Sequence, residues 1–153
     1  MSSGPLIVSY GGGTNSAAML VGMREHGERP DVILFADTGG EKPRTYGHLI
    51  IMQRWCEQVG FPSITIVRGQ QPQQRRDGTL ENQMLRLQSI PSRAFGFGQC
   101  SKEWKIIPQE RWCEEHIGAR LEVTATKDFE MIELWDDRCV QVIMNTGIPI
   151  RGE

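Results

Sequence analysis

The chain has 153 residues, of which 39% are apolar and 24% charged, and its formal net charge is −2. These values suit one ordinary globular domain and argue against a broad nucleic-acid or membrane-surface role, which calls for a basic excess. The longest apolar runs are too short to span a bilayer, and Met1-Ser2-Ser3-Gly4-Pro5 lacks the basic start and apolar stretch of a secretory signal, so a cytoplasmic protein with no membrane partner is expected.

Residues 6–10 form a short β-type run, and an apolar helical pattern covers about 15–26. The stretch Ser9-Tyr10-Gly11-Gly12-Gly13-Thr14-Asn15-Ser16 therefore falls at a strand-to-helix turn. Glycines let the backbone approach a ligand closely and tolerate positive φ. The following helix turns unpaired N–H groups and its positive dipole end toward the same place, a ready site for phosphate. Thr14, Asn15 and Ser16 add side-chain donors, one of which is expected to cap the helix. A Walker A loop is excluded because no Gly-Lys-Ser/Thr follows. A dinucleotide fingerprint is met in part by Gly11-x-Gly13-x-x-Ser16, with Asp37 near the ribose position. A pyrophosphatase-type loop is met by Gly11–Ser16 with Gly for its first Ser and Asn15 for its Asp. A glycine-rich turn without a ligand is the plain alternative.

Gly27 and Pro30 stop the first helix. Residues 31–36 are continuously apolar after Asp31, as in a parallel strand covered on both faces. Residues 37–41 turn the chain, a helix is expected over about 43–59, and 63–67 is a β-branched strand. Right-handed crossovers place these three strands side by side in the order 3-2-1, with ligands outside their C-terminal ends. Residues 68–99 read as an irregular insertion over that edge, with 69–78 polar and mobile and a helix at 79–89. Arg68, Arg75 and Arg76 read by default as surface charge, with reach toward a phosphate or sulfate as the alternative. Phe95 and Phe97 line a base pocket or cover the core. A helix at 109–116, a strand at 121–125 and a long amphipathic helix at 127–144 complete the expected elements. Cys56, Cys100, Cys113 and Cys139 form no C-x-x-C and no zinc spacing with the histidines, so reduced structural thiols are expected, with no zinc.

Three motifs in order carry a family likeness: Gly11–Ser16; Phe35-Ala36-Asp37-Thr38-Gly39 with Glu41, Pro43, Thr45 and Tyr46; and Cys100-x-x-x-Trp104-Lys105-x-x-Pro108. Over roughly residues 6–115 they resemble the phosphoadenosine phosphosulfate (PAPS) reductase family of the adenine nucleotide α-hydrolase-like, N-type ATP pyrophosphatase superfamily. Short bacteriophage members are the most alike. The resemblance implies one α/β domain over 1–153, three-layered, with a doubly wound parallel sheet in strand order 3-2-1-4-5. It implies ATP, PAPS or adenosine phosphosulfate (APS) as ligand, in a bacterial or phage-infected cell. Ser9, Gly11–Ser16, Ala36, Asp37, Thr38, Gly39 and Lys105 would bind the nucleotide. Lys105, Asn15 and Ser16 would act on its phosphate or sulfate end, and Asp37 and Glu41 would hold Mg²⁺ if ATP is bound. Residues 121–153 diverge from the family: its C-terminal E-C-G-x-H-type cysteine has no counterpart, since Cys139 lies in Asp137-Arg138-Cys139-Val140. Thiol-dependent PAPS reduction is therefore not expected, nor is an iron–sulfur cluster, since the relatives that carry one have a double Cys where Cys100 stands alone and a second pair downstream. ATP α–β cleavage with an unidentified acceptor, a non-catalytic nucleotide-binding or sequestering phage module, and a dinucleotide-binding oxidoreductase fragment stay open. A homodimer would close a site that one short subunit leaves incomplete.

Overall fold

Strand β1 (Ile7–Ser9), helix α1 (Thr14–Glu25), β2 (Val32–Asp37), α2 (Pro43–Val59) and β3 (Ile64–Arg68) follow one another as β-α-β-α-β. The computed structural model describes residues 5–89 and 101–118. Packing divides the chain into Met1–Val123 and Thr124–Glu153, and every described residue belongs to the first unit. The strands form one parallel sheet in the order β1-β2-β3. The pattern at 31–36 explains the central position of β2, since a strand apolar on both faces needs cover on both.

That cover comes from helices on opposite faces. Ile33 and Phe35 pack with Leu20 and Met23 of α1 and with Leu49, Met52 and Cys56 of α2. The last three recur at helical spacing, so α2 buries one stripe. Leu34 and Ala36, on the other side of the pleat, pack with Val67 and with Cys113 of a later helix, α5 (Ile107–Ile117). Full burial of a side chain such as Leu20 or Phe35 contributes ~1.5–3 kcal/mol. Gly60, at φ 78°, ends α2, and the Phe61 N–H reaches back to the Cys56 carbonyl. This closure sets Phe61 edge-on against Trp55, with ring centroids 5.7 Å apart.

Two stretches depart from the sequence expectation. Within the polar segment 69–78, Pro72–Asp77 is a helix, α3. Gln71 and Gln74 form a capping box, and the buried Gln74 amide also donates to the Glu103 carbonyl. After α4 (Leu80–Leu87), which the sequence places correctly, the chain makes a π-helical turn at Lys102–Ile106 that leads into α5. Pro108 accounts for it: proline lacks an N–H and crowds the carbonyl four residues back, and the wider i→i−5 bond from Ile107 N–H to Lys102 O relieves that crowding. Among the described residues no helix is long and apolar enough to cross a membrane. The expected strand at 121–125, the helix at 127–144, Phe95, Phe97, Cys100 and Cys139 lie outside the described residues.

Candidate binding site at the C-terminal strand edge

The turn after β1 and the turn after β2 meet at one sheet edge, because β1 and β2 are adjacent and parallel. Gly12 has φ 75°, and a Cβ built on it would lie 2.7 Å from Thr45 Cγ2 and 3.1 Å from Phe35 Cε2. Glycine is therefore needed there both by the backbone and by close packing against the core. Gly13 differs: it stands at the N-cap of α1 with nothing within 4 Å of an added Cβ. No side chain caps the helix. The cap expected from Thr14, Asn15 or Ser16 is not made: Thr14 and Asn15 are exposed, and the Ser16 hydroxyl donates to the Gly13 carbonyl at 3.0 Å. The first-turn N–H groups thus have no side-chain cap, beside a turn that is close-packed at Gly12 and open at Gly13. Ser9, the last residue of β1, is exposed beside it, in register with Leu34.

Beneath this turn Tyr10 is buried, its hydroxyl 3.1 Å from His48 Nδ1. Burial and the nearby Cys56 push the Tyr10 pKa up to about 12, so Tyr10 is a neutral support. Cys56 and Cys113 are buried free thiols whose pKa values burial raises, which suits structural residues.

The turn after β2 is closed. Asp37 is 5% exposed. Its Oδ1 accepts from Gly39 N–H at 2.9 Å and from the Tyr46 hydroxyl at 2.8 Å; its Oδ2 accepts from Arg68 Nε at 3.0 Å and Nη2 at 2.7 Å. Burial by itself raises the carboxyl's pKa, but the bonds from Gly39, Tyr46 and Arg68 outweigh it and lower the value from 3.8. Thr38 is buried; its hydroxyl donates to Glu41 Oε1 at 3.3 Å, and its carbonyl accepts from Leu80 N–H at 2.8 Å. Gly39, at φ 69°, lies beneath Thr79, the N-cap of α4. Glu41 Oε1 pairs with Lys105 Nζ at 2.9 Å. Trp104, buried next to Lys105 in sequence, donates from Nε1 to Gln83 Oε1 of α4 at 2.9 Å.

The structure thus joins Asp37, Thr38, Gly39, Glu41 and Lys105 around one turn, with the glycine turn beside it through Thr45. Among the described residues no hydrogen bond or ion pair links Lys105 to Gly11–Ser16. The Ala36 side chain packs on the opposite face, with Leu34, Val67 and Cys113, so only its backbone is available to a ligand at the edge. Among the described residues no three His, Cys, Asp or Glu side chains converge as a metal cage. A Mg²⁺ ion does not fit Asp37 as arranged, because four donors fill the sites an ionised carboxylate offers; Glu41 engages Lys105 and Thr38 through Oε1 alone. Arg68, read by default as surface charge, is 70% exposed and is also held by Asp37. The signal for it was register: each residue ends its strand, and the two lie opposite one another. Arg75 is exposed, and Arg76 lies 3.7 Å from Asp77, which Arg86 holds through two contacts of 2.8 Å.

No family model matches the chain, and comparison with curated proteins and with solved structures yields no match.

Proposed function

We propose that this protein binds an adenine nucleotide at the glycine turn, as a PAPS reductase-like protein of the adenine nucleotide α-hydrolase-like superfamily. Its full sheet would be doubly wound in the order 3-2-1-4-5. The observation that carries the reading is the N-terminus of α1, without a side-chain cap and with open space at Gly13, at the C-terminal edge of a parallel sheet, the place where such sheets take phosphate-bearing ligands. Gly11, Gly13 and the N–H groups of Thr14, Asn15 and Ser16 would hold the phosphate or sulfate end, with Ser16 and Asn15 as side-chain donors. Lys105 would exchange Glu41 for the ligand's anion, and developing negative charge at the phosphorus or sulfur would be stabilised by these donors. Chemistry at that end would be α–β cleavage of ATP or sulfonucleotide chemistry.

The second reading, a non-catalytic nucleotide-binding or sequestering module, is favoured by one feature: both oxygens of Asp37 are engaged within the chain, which leaves that carboxylate no site for a metal. Calorimetric titration with ATP, PAPS, APS, AMP and NAD tests binding, and assay of released pyrophosphate separates the readings. Saturable ATP or PAPS binding that weakens at least about tenfold in Gly13→Val, ~1.4 kcal/mol, is expected. Unchanged affinity in that folded variant, or no binding by the wild type, defeats the nucleotide reading.

A further inference from the structure

A hollow with a volume of about 180 Å³ lies between the end of β3 and α5. None of Gly11–Ser16, Glu41 or Lys105 lines it. We propose that this cavity binds a single-ring organic anion. Size comes first: a cavity of about 150 Å³ accommodates benzene, so this one suits one ring with a small charged substituent.

Its walls are held in place. Gln74 is buried, and its amide oxygen accepts from the Gln71 N–H while its nitrogen donates to the Glu103 carbonyl. Trp112 is stacked on His116, with centroids 4.5 Å apart and planes within 9°. This fixes the indole, which lines the cavity beside Pro108 and supplies flat apolar contact. Arg68 is oriented by Asp37 through Nε and Nη2. Its remaining N–H groups and the whole of Arg111 have no partner among the described residues. Two guanidinium groups on one cavity, one of them without a carboxylate, favour an anion over a neutral ring. Glu115 also lines the hollow and opposes that preference, so its charge is part of the test.

The full chain is titrated with benzoate, phenyl phosphate and benzyl alcohol, followed by tryptophan fluorescence. Either anion should bind saturably and about tenfold more tightly than the alcohol, the worth of one charge-assisted hydrogen bond; the better anion identifies a carboxylate or phosphate ligand. Arg111→Gln should remove most of that advantage without lowering Tm, Glu115→Gln should strengthen anion binding, and Gly13→Val, which alters only the nucleotide turn, should leave it unchanged. Equal binding of anions and alcohol, no saturation by any probe, indifference to Arg111→Gln, or loss of binding in Gly13→Val would each overturn the proposal. The last outcome would move the anion to the glycine turn and leave the nucleotide reading standing.

Discussion

The two turns at the C-terminal edge of β1 and β2 share their place in the fold and differ in what fills them. The turn after β1 is closely packed beneath at Gly12 and open at Gly13, and α1 begins without a side-chain cap. The turn after β2 is filled from within the chain by Arg68, Tyr46, Thr79 and Lys105. A polar, glycine-bearing loop is therefore not by itself a vacant site. One loop leaves the first N–H groups of α1 without a side-chain partner; the other uses its acceptors to fasten α4, β3 and the π-helical turn to the sheet edge.

The sharpest break of that comparison is a methyl group placed in each turn. In Gly39→Ala the new Cβ would lie 2.5 Å from Thr79 Cγ2 and 2.8 Å from Thr79 Cβ at a φ of 69°. Left-handed strain and overpacking together should cost about 2–4 kcal/mol. Gly13→Ala, with φ −99° and free space, should cost less than about 1 kcal/mol as a weaker N-cap. Urea unfolding of both variants measures this, and equal losses would erase the distinction between a filled and an open turn. Gly12→Val resembles Gly39→Ala because Phe35 and Thr45 stand in its way. Gly13 is therefore the cleaner probe of binding.

The sequence reveals the β-α-β-α-β frame because its punctuation is chemical. Gly27 and Pro30 close α1, Gly60 closes α2, and the unbroken apolar run of β2 needs two covered faces. It hides α3, since Pro72–Asp77 has no apolar stripe; Gln71 and Gln74 stabilise it through a capping box and a tertiary bond to Glu103, and only the box is local. At the edge, the glycine turn could be read from residue type. The partners of Asp37 and Lys105 could not, because Arg68 and Glu41 reach them through strand register and chain crossing. Residue identity marks which groups can bind an anion; tertiary pairing decides which of them are already occupied.

A middle-sized effect is expected from Asp37. Its carboxyl titrates below 3.8 in the folded chain. The stabilisation from Gly39, Tyr46 and Arg68 is therefore complete above the unfolded value and is lost as pH falls below 3.8 through the folded value. Asp37→Asn should lower stability at pH 7 by about 1–2 kcal/mol, a charged hydrogen bond discounted for the 70% exposure of Arg68. It should also flatten the acid limb of the stability curve. Unfolding midpoints from pH 2.5 to about 7 in wild type and variant provide the check; parallel acid limbs would mean that Asp37 does not hold the second turn closed.

The smallest effect belongs to the junction of the two turns, the Lys105–Glu41 pair. Lys105 is 42% exposed and Glu41 20% exposed, so the pair contributes at most about 1 kcal/mol to stability. Glu41→Gln should barely shift Tm, since glutamine keeps an oxygen to accept from the Thr38 hydroxyl. Its consequence lies in binding. Under the proposed reading an incoming phosphate competes with the Glu41 carboxylate for the Lys105 ammonium, and removing that competitor should tighten ATP binding by about three- to fivefold, ~1 kcal/mol. Adenosine, which has no anion to offer, should bind both proteins alike. Lys105→Ala should weaken ATP by more than adenosine and make Glu41→Gln silent when the two are combined, because the competition runs through that one ammonium. Calorimetry of the four proteins at one salt concentration resolves the cycle. A loss of ATP affinity in Glu41→Gln would reverse the assignment: Glu41 would then be steering Lys105 toward the ligand instead of competing for its ammonium.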